Sequence, residues 1–242
     1  MKIVHLSDLH ISSTYYVPEW GETVLTQLND INPELLVVTG DLTMEGYMHE
    51  YDLVKDYFNK IKMENILVVP GNHDSRNEGF KIFKELFQTR FPKLQNNRIA
   101  IVGVDSSEPD IDDGHVGREN YNFISDNLSN KDKVKILALH HHLIPIPGTG
   151  RERNIPTDAG NLLELCNQIE INLVLSGHKH KPWLWKLENT YYITAGTATT
   201  RRLKGKSYPS FNVIEIAENE VILTEINVET KTSREIIRFL IG

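Results

Sequence analysis

Cysteine is almost absent from this chain of 242 residues: Cys166 stands alone. An intramolecular disulfide is therefore excluded, and the expected compartment is reducing, the cytoplasm. No window approaches the run of about 18 apolar residues that a membrane-spanning helix requires. The opening MKIVHLSDLH lacks the apolar core of a secretory leader, so no membrane partner is expected. Basic excess is missing too. The net charge of −7 gives no general attraction to extended nucleic acid, although bound cations can invert the field locally. No internal repeat, low-complexity tract or Pro/Gly/Ser-rich linker divides the chain. Its length suffices for one domain with a substantial core, expected to span 1–242.

What is present is ordinary globular composition, 40% apolar and 24% charged. Short runs rich in Val, Ile and Leu recur at Lys2–Ser7, Glu34–Gly40, Ile66–Gly71, Ile99–Asp105, Lys135–His140 and Leu173–Gly177. Apolar on both faces, they suit strands buried between layers. Helical spacing fills the gaps: Trp20–Ile31, Glu45–Ile61, Glu78–Phe87, Arg118–Leu128 and Thr157–Ile169. The alternation predicts parallel βαβ units. The last third changes character. Thr190–Ala195, Ser210–Ala217, Glu220–Val228 and Arg234–Leu240 read as strands with no helix between them and a turn at Glu218-Asn219. They are expected to form an antiparallel sheet packed on the first.

Seven of the ten histidines sit at or near strand ends. Five strand-like runs close in clusters able to bind metal: SDLH (7–10), GDLT (40–43), GNHD (71–74), HHH (140–142) and GHKH (177–180). Each alone has a plain reading as a turn or a solvated run. In open α/β sheets, however, ligands gather at the carboxyl ends of the strands, so the five would meet at one rim. Their joint occurrence points to a shared metal site. Imidazole, carboxylate and amide oxygen suit Mn²⁺, Fe or Zn²⁺, and the lack of thiolates argues against a purely structural zinc.

The ordered set D-x-H, GD, GNH[DE], H and GHxH resembles the calcineurin-like metallophosphoesterase superfamily, over residues 3 to 180 by motif. The segment Ala195-Gly196-Thr197-Ala198-Thr199-Thr200-Arg201-Arg202 resembles the GT-rich stretch of its small phosphodiesterase branch. The resemblance implies a four-layer αββα sandwich of two mixed β-sheets flanked by helices. It also implies two divalent cations: Asp8, His10 and His180 would bind the first, Asn72, His140 and His178 the second, and Asp41 would bridge them. A carboxylate suits the bridge because it has an oxygen for each cation. A neutral Asn72 leaves more positive charge for phosphate oxygens. The expected reaction is hydrolysis of a small phosphate ester, a phosphodiester first and a nucleotide among the candidates, by hydroxide bridging the two metals. His73, adjacent to a ligand but not one itself, would hydrogen-bond the phosphate or protonate the leaving alkoxide. Alternatives are a metal-dependent nuclease, a phosphomonoesterase, or a non-catalytic partner-binding module that retains the fold.

Other residues are ambiguous from sequence. His141 and His142 follow the ligand position; His142 departs from the family pattern, which often has proline shortly after the histidine, and either lines the pocket or supports a ligand. Arg151, with Glu152 and Arg153, lies in the Pro145–Pro156 loop, and Arg201 and Arg202 follow the GT-rich segment. These arginines either contact substrate or are ordinary surface. Asp74 either orients His73 or caps the following helix, and its position favours the cap. Asp105 ends a strand and is a weak candidate for supporting the site. Trp183 and Trp185 read as core or interface rather than as platforms for a base.

Overall fold

The computed structural model describes every residue except 131, 151–153, 219 and 242. The first half alternates as expected: β1 (Lys2–Leu6), α1 (Pro18–Ile31), β2 (Leu35–Thr39), α2 (Met48–Phe58), β3 (Ile66–Val69) and α3 (Gly79–Phe87). Next come β4 (Lys93–Gln95), β5 (Ile99–Gly103), α4 (Tyr121–Asn127), β6 (Val134–Ala138), α5 (Ala159–Gln168) and β7 (Leu173–Ser176). The rest is strand: β8 (Trp183–Leu187), β9 (Thr190–Thr194), β10 (Ser210–Ala217), β11 (Glu220–Asn227) and β12 (Ser233–Leu240). Among the described residues, no helix is long and apolar enough to cross a membrane.

Two six-stranded mixed sheets result, in the orders β12-β11-β10-β1-β2-β3 and β4-β5-β6-β7-β9-β8. Side-chain alternation explains the layering. Ile3, Leu35, Val37 and Val69 of the first sheet meet Ile101, Ile136, Leu173 and Ile193 of the second in a central core. The neighbours Val4, Leu36 and Val38 point the other way, onto Val24, Leu28, Val54 and Phe83 of α1–α3. Likewise Val102, Leu137 and Val174 face Ile124, Leu162 and Cys166 of α4 and α5. Burying one such side chain stabilises the fold by about 1.5–3 kcal/mol. Helices cover both outer faces, as the αββα expectation requires.

The C-terminal strands differ from the sequence reading. They do not form a sheet of their own. β10 pairs antiparallel with β1, so β10–β12 extend the first sheet, while β9 joins the second beside β7. The reason is burial on both faces: Ser210–Ile214 is wholly buried, which suits an interior strand and not one face of an added layer. Glu218 of the expected turn has a left-handed backbone, and Asn219 lies outside the described residues. Trp183 and Trp185 lie on the edge strand β8, and the Trp185 indole donates to Pro145 O at 3.0 Å. Both are partly exposed, so the core reading does not hold.

Candidate metal centre

The parallel strands of both sheets deliver their ends to one place. Asp8 and His10 follow β1, Asp41 follows β2, Asn72 and His73 follow β3, His140 follows β6, and His178 and His180 follow β7. Presenting side chains inward there takes tight backbone: Asp8, His10, Asp41, His178 and His180 all have left-handed φ, between 42° and 73°. Each such residue costs about 1 kcal/mol or more. Glycine opens the remaining space. A Cβ on Gly40, itself at φ +82°, would lie 2.5 Å from Gly71 N and 2.8 Å from His140 Nδ1.

The ligand-type atoms form two groups that share one residue. Asp8, His10, Asp41 and His180 bring one ligand atom each within 4.8 Å of one another, and so do Asp41, His140 and His178. Asn72 Oδ1 lies 3.1 Å from both His140 Nε2 and His178 Nδ1, which places it in the second group. His10 Nε2 and His180 Nε2 face each other at 3.2 Å. Asp41 sits between: its Oδ2 is 3.6 Å from His10 Nε2 and 3.4 Å from His140 Nε2. The sequence reading gave each group its own Asp41 oxygen. Instead the same oxygen faces both, because Oδ1 accepts the His73 N–H at 3.0 Å.

Proton accounting shows that this donor set fits cations. A carbonyl only accepts, so the contacts of His10 Nδ1 with Thr43 O (3.0 Å) and His140 Nδ1 with Thr39 O (2.7 Å) put hydrogens on both Nδ1 atoms. In His10, which is neutral, Nε2 is then a lone pair aimed into the centre, and His140 would present the same lone pair once a cation displaced its second proton. Asp8 Oδ1 is buried without a hydrogen-bond partner and lies 3.3 Å from His180 Nε2. Burial drives the rings neutral: His10 and His178 fall well below their usual range, and His180 falls to about 3. Arg202 adds to the depression of His10 and His180. Burial raises Asp8 to about 7. Burial would lower His140, but Asp41 beside it raises it to about 9; Asp41, which burial would raise, is held well below its usual range by His140 and His73. Converging lone pairs and carboxylate oxygens with few hydrogens between them are what a divalent cation satisfies.

Surrounding groups hold these loops. Asp74 is fully buried and accepts from Gly71 N, Leu42 N, Thr43 N and Thr43 Oγ1 at 2.9–3.0 Å. It ties the Asp41 loop to the Asn72 loop. It is not the helix cap the sequence suggested, since α3 begins only at Gly79, and His73 is oriented by Met44 O at Nδ1 instead (2.6 Å). Thr197 and Thr199 of the GT-rich segment donate to Asp8 O and Leu9 O at 2.7 and 2.6 Å. His141 is buried between Ser106 Oγ and Asp112 O, and His142 stacks on His178 at 5.8 Å. Asp105 pairs with Arg90 and accepts from Ser107. Arg201 is exposed; Arg202 is half-buried, its guanidinium over the Tyr15 ring. Arg151 and Arg153 lie outside the described residues. Sequence reasoning missed Asp112, which accepts from Asn72 Nδ2 at 3.1 Å and Arg76 at 2.9 Å. A lone aspartate in a loop carries no pattern that could have marked it.

The calcineurin-like phosphoesterase family matches residues 1–182. The chain is 24% identical over 244 residues to a protein of Xenorhabdus bovienii named a probable cyclic nucleotide phosphodiesterase, covering 90% of this chain and 96% of the relative. It is 27% identical over 222 residues to the glycerophosphodiester phosphodiesterase of Enterobacter lignolyticus, with 82% and 76% covered. Of solved structures, a purple acid phosphatase from yellow lupin seeds superposes with a TM-score of 0.79 at 13% identity. That likeness, which is one of fold, covers 100% of this chain but only 53% of the lupin chain.

Proposed function

The chain belongs to the calcineurin-like phosphoesterase family and is a metal-dependent phosphoesterase, and from that premise we propose that it hydrolyses small phosphodiesters, nucleotides among them, at a centre of two divalent cations. The observation that carries the two-ion reading is Asp41 Oδ2, one oxygen directed at both donor groups. Asp8, His10, Asp41 and His180 would hold one ion; Asp41, Asn72, His140 and His178 would hold the other. When bound, such ions supply Lewis acidity, stabilising charge on phosphoryl oxygens and bringing the ionisation of water toward about pH 7.

The chain's own residues do the rest. Thr43 O and Thr39 O keep His10 and His140 in the tautomer that frees Nε2. His73 lies edge-on to His10 with centroids 4.8 Å apart, and Met44 O holds its Nδ1 hydrogen. Any proton His73 gives to a leaving oxygen therefore departs from Nε2. Arg202 has no carboxylate within 4 Å among the described residues; its guanidinium lies over the Tyr15 ring and reaches Met44 Sδ at 3.5 Å. Its charge is free to meet a phosphate oxygen, while His142 contributes to the wall beside His178. The names of the relatives support a diester over a monoester.

Protein supplied with Mn²⁺ is expected to hydrolyse bis-p-nitrophenyl phosphate faster than p-nitrophenyl phosphate. Chelator should abolish turnover, and Asp41→Asn should lower it by more than about 100-fold. Absence of turnover with two ions demonstrably bound would overturn the catalytic reading in favour of a binding module. A panel of cyclic nucleotides, glycerophosphodiesters and single-stranded DNA then names the ester.

A further inference from the structure

The loop that follows His10 carries an aromatic ring to the rim of the donor centre. Two turns fold it back on itself, through Ser13 N to His10 O at 2.9 Å and Tyr16 N to Ser13 O at 3.0 Å. Tyr15 is pinned by its backbone on both sides. Its N–H donates to Ser13 Oγ at 3.0 Å, and its carbonyl accepts from Arg201 N at 2.9 Å. The side chain is nevertheless 51% exposed. The Arg202 guanidinium lies over the ring, with Cζ 5.9 Å from the centroid.

Contacts run unbroken from this pair to His73. Arg202 Nη1 reaches Met44 Sδ at 3.5 Å, and Met44 O accepts from His73 Nδ1 at 2.6 Å. Ser12 Oγ donates to Glu50 at 2.6 Å and accepts from Met44 N at 3.2 Å, which ties the Tyr15 loop to the Met44 loop. Arg202 is also close enough to depress both His10 and His180. The Tyr15–Arg202 pair thus stands at the His10, His180 and His73 side of the centre. A single exposed tyrosine is ordinary on a protein surface. This one has a fixed backbone, a planar cation across it and a seat for phosphate beside it. The two side chains suit the two parts of a nucleotide: a guanidinium binds phosphate oxygens, and an aromatic ring stacks on a base whatever its identity. Tyr47, the other exposed tyrosine nearby, is already stacked on His49, with centroids 5.8 Å apart.

We propose that Tyr15, braced by Arg202, is the stacking platform for the base of a nucleotide ester whose phosphate lies at the metal centre. A glycerophosphodiester has no ring to place there, so the platform selects nucleotides among small phosphodiesters. The assignment rests on the reading of the adjoining centre as a phosphoesterase.

The probes are AMP and ribose 5-phosphate, which share a sugar phosphate and differ in the base. By calorimetry on Mn²⁺-loaded protein, AMP is expected to bind about tenfold more tightly. Tyr15→Ala should erase that advantage and change the affinity for ribose 5-phosphate by less than about twofold. Tyr15→Phe, which keeps the ring, should retain the advantage. Equal affinities in the parent, or no detectable binding of either probe, would overturn the proposal. So would an advantage that survives Tyr15→Ala, or one lost in Tyr47→Ala instead. The two readings fail separately. Turnover of bis-p-nitrophenyl phosphate with equal probe affinities sinks the platform alone, whereas a Tyr15-dependent AMP advantage without turnover supports the platform and counts against catalysis.

Discussion

An asparagine ligand must present its carbonyl oxygen and not its amide nitrogen, and nothing in Asn72 itself decides between them. Asp112 decides, because a carboxylate only accepts and so takes Nδ2, leaving Oδ1 to face His140 and His178. Arg76 binds the same Asp112 oxygen and is itself held by Glu45. Asp112→Ala is expected to weaken one of two cation-binding events by about 10- to 100-fold and to spare the other. Asp112→Asn, which still offers an oxygen, should recover most of the loss. Calorimetric titration with Mn²⁺ resolves the two events, and equal weakening of both would show that Asp112 does not act through Asn72. The left-handed backbone permits a second residue-scale prediction. His10, at φ 42°, pays a steric cost that alanine would share and glycine would not. With chelator present, His10→Gly should therefore exceed His10→Ala in stability by about 1 kcal/mol in urea titrations, the reverse of the order in an ordinary extended segment.

At the scale of elements, β1 carries a histidine into the inter-sheet core. His5 faces Thr39 Oγ1 at 2.9 Å and lies opposite Asn212 of β10, and burial lowers its pKa to about 3. The folded state thus holds His5 neutral, whereas the unfolded chain protonates it near 6.5. Its contribution is complete above pH 6.5 and is lost as pH falls toward 3, at about 1.4 kcal/mol per pH unit. In chelator-treated protein, His5→Gln should lower stability at pH 7 and yet flatten the decline between pH 6.5 and 4, as read from urea midpoints. A decline as steep as that of the parent would locate the acid sensitivity elsewhere. The strands of the first half were legible because each is apolar on both faces and ends in a polar cluster. The rim followed from that, and with it the seven candidate ligands. β4, three residues long, and the edge strand β8 were not legible, since neither has a clean period. Nor was the assignment of β10–β12 to the first sheet, because partner choice depends on which edge β1 leaves open. His5 and Asp112 escaped for a related reason: each matters through contacts with residues far away in the sequence, and such contacts leave no pattern in the chain.

For the whole molecule, the decisive fact is that the two donor groups draw on both sheets. Asp8, His10, Asp41 and Asn72 come from the first, and His140, His178 and His180 from the second. Cations held there would tie the sheets together at one end of the sandwich. An ion present at about 100 times its dissociation constant adds about 2.7 kcal/mol per site. For a chain of this size, Mn²⁺ is expected to raise the melting temperature by about 5–10 °C per site and chelator to reverse the rise, as measured by calorimetry. The shared rim has one more consequence, and it concerns time. Nearly every donor atom is buried, and the donors belong to two separately anchored sheets. An ion leaving such a seat must wait for the rims to part. Exchange in the folded protein would then be slow on the scale of an assay. The chain would keep a memory, and the ions it carries would record which metals were abundant on the day it folded.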